Sequence, residues 1–202
     1  MEPLEIELKE YSEQYERKWI RCYFQAYSCS IYLNVMEETK PRYETPSIQL
    51  IAEKNQNIVG ILDIAMEEIP GQLGLDLEQK SGIITILGVL PQFRRKGIAL
   101  KLLERAEFIL NNIHKVYRCE VWSREDLILD NFWSKLKYLC IDHYYEVYYS
   151  NDFFERLNID FPFEITPQTF IASVNNDSFI KLVKDFPPDR SFKIKIWEKI
   201  LN

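Results

Sequence analysis

Ile84-Thr85-Ile86-Leu87-Gly88-Val89-Leu90-Pro91-Gln92-Phe93-Arg94-Arg95-Lys96-Gly97-Ile98-Ala99 is the stretch on which the reading of this chain turns. An apolar, β-branched run stops at Pro91, and the basic loop Arg94-Arg95-Lys96 follows. Gly97 then opens a run in which Ile98, Leu102, Ala106 and Ile109 form one helical stripe, widened by Leu103 and Leu110. Strand, basic turn and helix N-terminus together make an anion cradle, because unpaired amides and the positive end of the helix dipole converge there. The plainer alternative is a strand–turn–helix with solvated arginines. A P-loop is excluded, since no Gly-x-x-x-x-Gly-Lys-[Ser/Thr] occurs.

Working outward, Leu4 to Leu8 alternates as a strand does, Ser12 can cap a helix, and Trp19, Tyr23, Ala26 and Tyr27 recur at helical spacing, with the helical run expected to reach about Met36. Ser47 to Glu53 and Ile58 to Met66 read as a hairpin joined at Lys54-Asn55-Gln56-Asn57. Gly82 to Leu90 is near-continuously apolar and is expected to be a central strand buried on both faces. A helix from Gly97 to about Asn112 and a strand from Lys115 to Trp122 follow. A helix capped by Ser123 then runs to about Leu136, and one or two strands occupy Leu139 to Tyr149. The expected fold is α+β (mixed α/β), with the hairpin making the sheet mixed. Residues 1–149 form the main domain, and 150–202 a Pro- and Phe-rich appendage packed on it. That appendage is expected to hold a short helix near Asp177 to Lys184 and a strand near Ser191 to Trp197, and to act as a dimer interface or an acceptor lid.

The chain has 202 residues, 47% hydrophobic and 14% aromatic, which is enough for a sizeable core. A net charge of −6 argues against non-specific nucleic-acid binding. The four cysteines (Cys22, Cys29, Cys119, Cys140) form no CxxC pair, and the two histidines (His114, His143) are not spaced as zinc ligands, so free thiols and no metal are expected. Neither a signal peptide nor a bilayer-length apolar run is seen, and the expected location is cytoplasmic, away from membranes.

Val89-x-Pro91-x-Phe93-Arg94-x-x-Gly97-Ile98-Ala99, set between a strand and a helix, resembles the acetyl-CoA motif of the GNAT superfamily of N-acetyltransferases. The resemblance spans roughly residues 3–149. It implies a central, mostly antiparallel twisted sheet flanked by helices, with acetyl-CoA as cosubstrate and an amine of a small molecule or protein as acceptor. Transfer would be direct, within a ternary complex. It also implies that Leu87, Gly88 and Val89 pair with the pantetheine amides, Gly88 suiting a bulge or local widening there. The amides from Arg94 to Ala99 would hold the pyrophosphate, with Gly97 allowing close approach and Arg94, Arg95 and Lys96 adding charge. Glu120 is then the expected base, with the strand-end acids Glu67 and Glu68 ranked below it.

On the last helix the family's Asn-x-x-Ala-x-x-Phe-Tyr-x-x-x-Gly-Phe is matched by Asp126, Leu129, Phe132, Trp133, Lys137 and Tyr138. Trp133 stands where the family places its acidic Tyr, and an indole N–H has no useful acidity. Three readings stay open here. Trp133 only packs near the thioester, Tyr138 or Tyr144 supplies the proton, or no acid is needed. Asp126 and Trp133 are expected to contact the cofactor, and Tyr138 is the named catalytic hydroxyl. Trp19, Tyr23, Tyr27 and the loop from Lys40 to Thr45 are expected to line the acceptor pocket. The alternative is a non-catalytic acyl-CoA-binding or interaction module on the same fold, and a homodimer is left open.

Overall fold

The computed structural model describes residues 5–28, 30, 38–149, 168–173, 181, 184–185, 188 and 190–201. Strands and helices mix, and every strand pairing described is antiparallel except one. Two compact units form: Met1–Val121 with Lys199–Asn202, and Trp122–Glu198.

The first unit begins with β1 (Glu7–Glu10), a 3₁₀ turn and helix α1 (Glu16–Tyr27). Ser12 starts that turn without a side-chain cap, contrary to the expected cap. The expected continuation of the helix over residues 31–37 lies outside the described residues. Strands β2 (Ser47–Lys54) and β3 (Asn57–Met66) meet at a two-residue turn in which Asn55 and Gln56 have φ of 48° and 62°. Two successive left-handed residues match the right-handed twist of a hairpin. Strand β4 (Ser81–Val89) pairs antiparallel with β3 and parallel with β5 (Arg118–Arg124), the second ladder covering Ser81–Ile84 against Arg118–Val121.

Helix α1 buries Trp19, Cys22, Tyr23 and Ala26. Helix α2 (Ile98–Phe108) buries Ile98, Leu102, Leu103 and Ala106, and a π-type turn (Ile109–His114) replaces the last part of the expected longer helix. The two helices take alternate residues of β3. A Cβ on Gly60 would come within 2.9 Å of Ile98 of α2, whereas Asp63 faces Lys40 on the α1 side. With both faces covered, β3 is buried from Ile58 to Met66, which explains its continuous apolar run.

The β3–β4 register slips between Asp63 and Ile64, so Thr85 has no partner in β3 and is exposed. This corrects two expectations. β4 is not buried on both faces throughout, and the bulge sits at Thr85 rather than Gly88. Gly88 pairs regularly with Ile61, and its missing side chain has a packing reason. A Cβ there would lie 3.0 Å from the Tyr27 ring and 3.2 Å from Ala26.

In the second unit α3 (Leu127–Lys135) is followed by β6 (Leu139–Tyr149), with β7 (Gln168–Ser173) and β8 (Arg190–Ile200) both antiparallel to β6. The cap of α3 is Asp126, not Ser123. Ser123 still belongs to β5, and its hydroxyl accepts from the Trp197 indole at 3.1 Å. The expected strand near Ser191 forms as part of β8, whereas β7 had no clear sequence signal. The short helix expected near Asp177 lies, Lys181 and Lys184 aside, outside the described residues.

Candidate functional site

After β4, a short turn (Pro91–Phe93) leads to Gly97, which caps α2 with φ 77° and ψ 4°. Arg95 is also left-handed, at φ 58°. No atom lies within 4 Å of where a Gly97 Cβ would be, so the helix end opens on free space and glycine is favoured there by φ alone. Lys101 donates the first helical bond, to the Gly97 carbonyl at 3.0 Å, which leaves the amides of Ile98, Ala99 and Leu100 as the donors of the helix end. Arg95, Lys96 and Gly97 are exposed, and the Lys96 ammonium donates to the Gln92 carbonyl at 3.0 Å.

Arg94 is exposed too, but its guanidinium is held by two backbone carbonyls. Its Nε donates to the Val89 carbonyl at 3.1 Å, and its guanidinium donates to the Ala26 carbonyl at 2.8 Å, tying the cradle to the end of α1. Next to it, the Tyr27 hydroxyl donates to the Leu87 carbonyl at 2.9 Å and accepts from the Leu87 amide at 3.2 Å. Leu87 therefore has its backbone groups turned away from its β3 partner Leu62 and met by a side chain.

Glu120 lies on β5 opposite Ile83, one residue before the β4–β5 ladder ends. It has no exposed surface. Its carboxylate accepts from the Ser81 hydroxyl at 3.2 Å and from the Leu75 amide at 3.3 Å. Gly74 passes so close that a Cβ there would sit 2.8 Å from Glu120 Oε1. Glu67 is not the solvated strand-end acid that the sequence suggests. It is buried, one oxygen accepting from the amides of Leu73 and Gly74 and the other from Ser81, all at 2.7 Å. Those bonds make it the staple of the 67–80 connection. Glu67→Gln turns an NH₂ toward an amide donor and should cost about 2 kcal/mol, the scale of a lost hydrogen bond to a charged group. Thermal or urea denaturation reads this, and an unchanged midpoint would show the staple to be dispensable.

A buried polar cluster lies on the α1 face. The Lys40 ammonium contacts Asp63 Oδ2 at 2.5 Å and sits 4.3 Å from the Trp19 ring and 4.6 Å from that of Tyr11. The Tyr43 hydroxyl reaches Asp63 Oδ2 at 3.1 Å and Thr85 Oγ1 at 2.7 Å, linking the pair to the β4 bulge. Burial raises the Asp63 pKa, opposed by the Lys40 charge and by hydrogen bonds from Lys40 and Tyr43. Trp19 and Tyr23, expected as pocket lining, are buried and stacked on each other at 5.2 Å. Sequence reasoning missed this cluster, although Asp63 in an apolar strand was a signal, because a buried carboxylate needs a partner.

In the second unit, Asp126 Oδ1 accepts from the amides of Ile128 and Leu129 at 2.8 and 3.1 Å, so its carboxylate serves as helix cap. Trp133 is buried, its ring edge-on to Tyr138 at 5.2 Å, and its Nε1 has no hydrogen-bond partner among the described residues. Tyr138 is also buried, and its amide donates to the Trp133 carbonyl at 3.1 Å. The other candidate hydroxyl, Tyr144, packs on Trp122 at 5.3 Å, and its pKa is raised, first by burial and then by Asp142. Among the described residues no cluster of three or more His, Cys, Asp or Glu could hold a metal.

The family model described as "Acetyltransferase (GNAT) family" matches residues 3–138. NAA60 of Arabidopsis thaliana, crystallised with a bisubstrate analogue, aligns at TM-score 0.60 and 11% identity over 98% of this chain and 99% of its own. The ribosomal-protein-S18-alanine N-acetyltransferase of Escherichia coli aligns at TM-score 0.57 and 10% identity over 98% and 95%. A GNAT family acetyltransferase of Elizabethkingia anophelis with acetyl-CoA bound gives 0.53 and 12% over 97% and 98%. At these identities the structural likeness speaks to fold alone. No curated protein matches the chain. A strand–turn–helix cradle, a mixed and mostly antiparallel sheet, and a family match over most of the length lead to one conclusion: the chain belongs to the GNAT acetyltransferase family.

Proposed function

We propose that the protein is an acetyl-CoA-dependent N-acetyltransferase that acts on an amine by direct attack in a ternary complex. The observation that carries the reading is Gly97. A left-handed cap, open on the side where a Cβ would point, lies at the start of an 11-residue helix and next to two exposed cations, Arg95 and Lys96. The amides of Ile98, Ala99 and Leu100 suit a pyrophosphate there, and the residues present fit coenzyme A at that end. Arg94 adds its charge to the cradle and also holds the loop in shape through the Val89 and Ala26 carbonyls. The cosubstrate supplies a thioester as acyl donor.

Glu120 takes the proton of the acceptor amine in this reading. Glu120 and the Ser81 hydroxyl 3.2 Å from it both lack exposed surface, so transfer to Glu120 runs through an intervening group beyond Ser81. The acceptor is a small-molecule or protein amine. A cytoplasmic setting fits the absence, among the described residues, of any helix long and apolar enough to cross a membrane. A second reading, an acyl-CoA-binding module without turnover, is favoured by Trp133, buried where the family carries a Tyr.

Thiol release from acetyl-CoA, measured against a panel of small amines and peptide N-termini, separates the two. If no amine raises release above hydrolysis while CoA still binds, the enzyme reading fails. Gly97→Asp tests the ligand itself. Asp tolerates the left-handed backbone better than most residues, so the fold should survive while a like charge enters the cradle. Calorimetric CoA affinity should fall at least about thirtyfold, the scale of a partly screened repulsion between neighbouring charges. Unaltered affinity would remove the pyrophosphate assignment.

A further inference from the structure

We propose that Tyr27 sets how tightly this chain holds the pantetheine arm of its acyl donor, by keeping its own hydroxyl on the backbone groups that the arm must use; the proposal rests on the acetyl-CoA reading above. The Tyr27 hydroxyl gives one hydrogen bond to the Leu87 carbonyl at 2.9 Å and takes one from the Leu87 amide at 3.2 Å. An extended ligand running along β4 would offer the same couple, one donor and one acceptor, from its amides. The hydroxyl is thus an intramolecular substitute for a ligand amide, and the two cannot hold Leu87 at once.

The fold puts it there deliberately. Gly88, next to Leu87, leaves the room that the Tyr27 ring fills, since a Cβ would come within 3.0 Å of that ring. The Tyr23 ring backs Tyr27 at 5.0 Å. Arg94 fixes the same helix end through the Ala26 carbonyl at 2.8 Å and takes the next outward carbonyl of β4, that of Val89, at 3.1 Å. Helix α1 is therefore anchored beside β4, and the phenol leaves Leu87 by side-chain rotation. Binding of the arm is reduced by the cost of that displacement, as for any ligand that must select a less populated conformer.

The test is calorimetric titration of wild type and Tyr27→Phe with coenzyme A and with adenosine 3′,5′-bisphosphate, which lacks the arm. Two neutral hydrogen bonds to a side chain are at stake, so coenzyme A should bind Tyr27→Phe about tenfold more tightly. The bisphosphate should bind both proteins within about twofold, on the same arithmetic. The unliganded variant should melt lower, because the Leu87 groups lose their partner, and coenzyme A should restore more of its melting temperature than it adds to wild type. Tyr27→Met, which also lacks the hydroxyl and fills the site with a flexible chain, stands in should Tyr27→Phe fold poorly. Equal or weaker coenzyme A affinity in the variant, with the bisphosphate still bound, overturns the role of Tyr27 and leaves the cofactor reading intact. Failure of both ligands to bind wild type overturns both.

Discussion

Glu120→Gln is expected to lower kcat by about a hundredfold or more, the usual contribution of a general base, while the KM for acetyl-CoA stays near its wild-type value. The substitution is close to isosteric, and its surroundings can accept it. The Leu75 amide lies 3.3 Å from both carboxylate oxygens, so the amide oxygen of Gln can keep that bond in either orientation. The Ser81 hydroxyl, at 3.2 Å, can reverse and accept from the new NH₂. The melting temperature should therefore move little. Glu67 gives the contrast, since its three partners are all backbone donors that cannot reverse. If Glu120→Gln melted lower but turned over at the wild-type rate, Glu120 would be a second staple of the 67–80 connection and not the base.

What could be read from the sequence and what could not divide by the range of the interactions. The cradle from Val89 to Ala99 was legible because its elements are local: a β-branched run, a Pro stop, a basic turn and a Gly that tolerates φ of 77°. The Asn55-Gln56 turn was legible for the same reason. The partner of Arg94 was not, because it is the carbonyl of Ala26, 68 positions back, and nothing in a basic loop says which arginine a distant carbonyl holds. Tyr27 fell on the expected helix face, yet helical spacing gives the face and not the backbone group that it meets. Ser123 and Asp126 are both good caps. The choice between them came from Trp197, whose indole claims the serine hydroxyl from 74 positions away. The π-helical stretch after Phe108 carries the same apolar spacing as the helix before it, so pattern alone gave the helical run but not its change of winding.

Lys40→Met is expected to cost about 3–5 kcal/mol of stability, the range seen when one partner of a buried ion pair is removed. Lys40 is 6% exposed and Asp63 0%, so solvent screens the pair little. The ammonium also lies over the rings of Trp19 and Tyr11, contacts that a thioether does not replace in kind. What remains in the variant is a buried carboxylate with the Tyr43 hydroxyl on Oδ2, while Oδ1 already has no hydrogen-bond partner among the described residues. The sign of the pH dependence follows from burial, which raises the Asp63 pKa above 3.8. In the window between 3.8 and the raised value, the folded state binds more protons than the unfolded state, so this group's contribution falls as pH rises. Removing Lys40 removes the main opposing influence and stretches that window upward. The penalty of Lys40→Met should therefore be smaller near pH 4.5 than near pH 7.5, since near the lower pH protonation of Asp63 relieves the stranded charge. Urea midpoints of both proteins at the two pH values measure it. The added change Asp63→Leu should recover much of the loss, because hydrophobic replacement of both partners of a buried pair is often neutral. A penalty below about 1 kcal/mol, in the range of an exposed pair, or one equal at both pH values, would show that Asp63 is compensated by something other than Lys40.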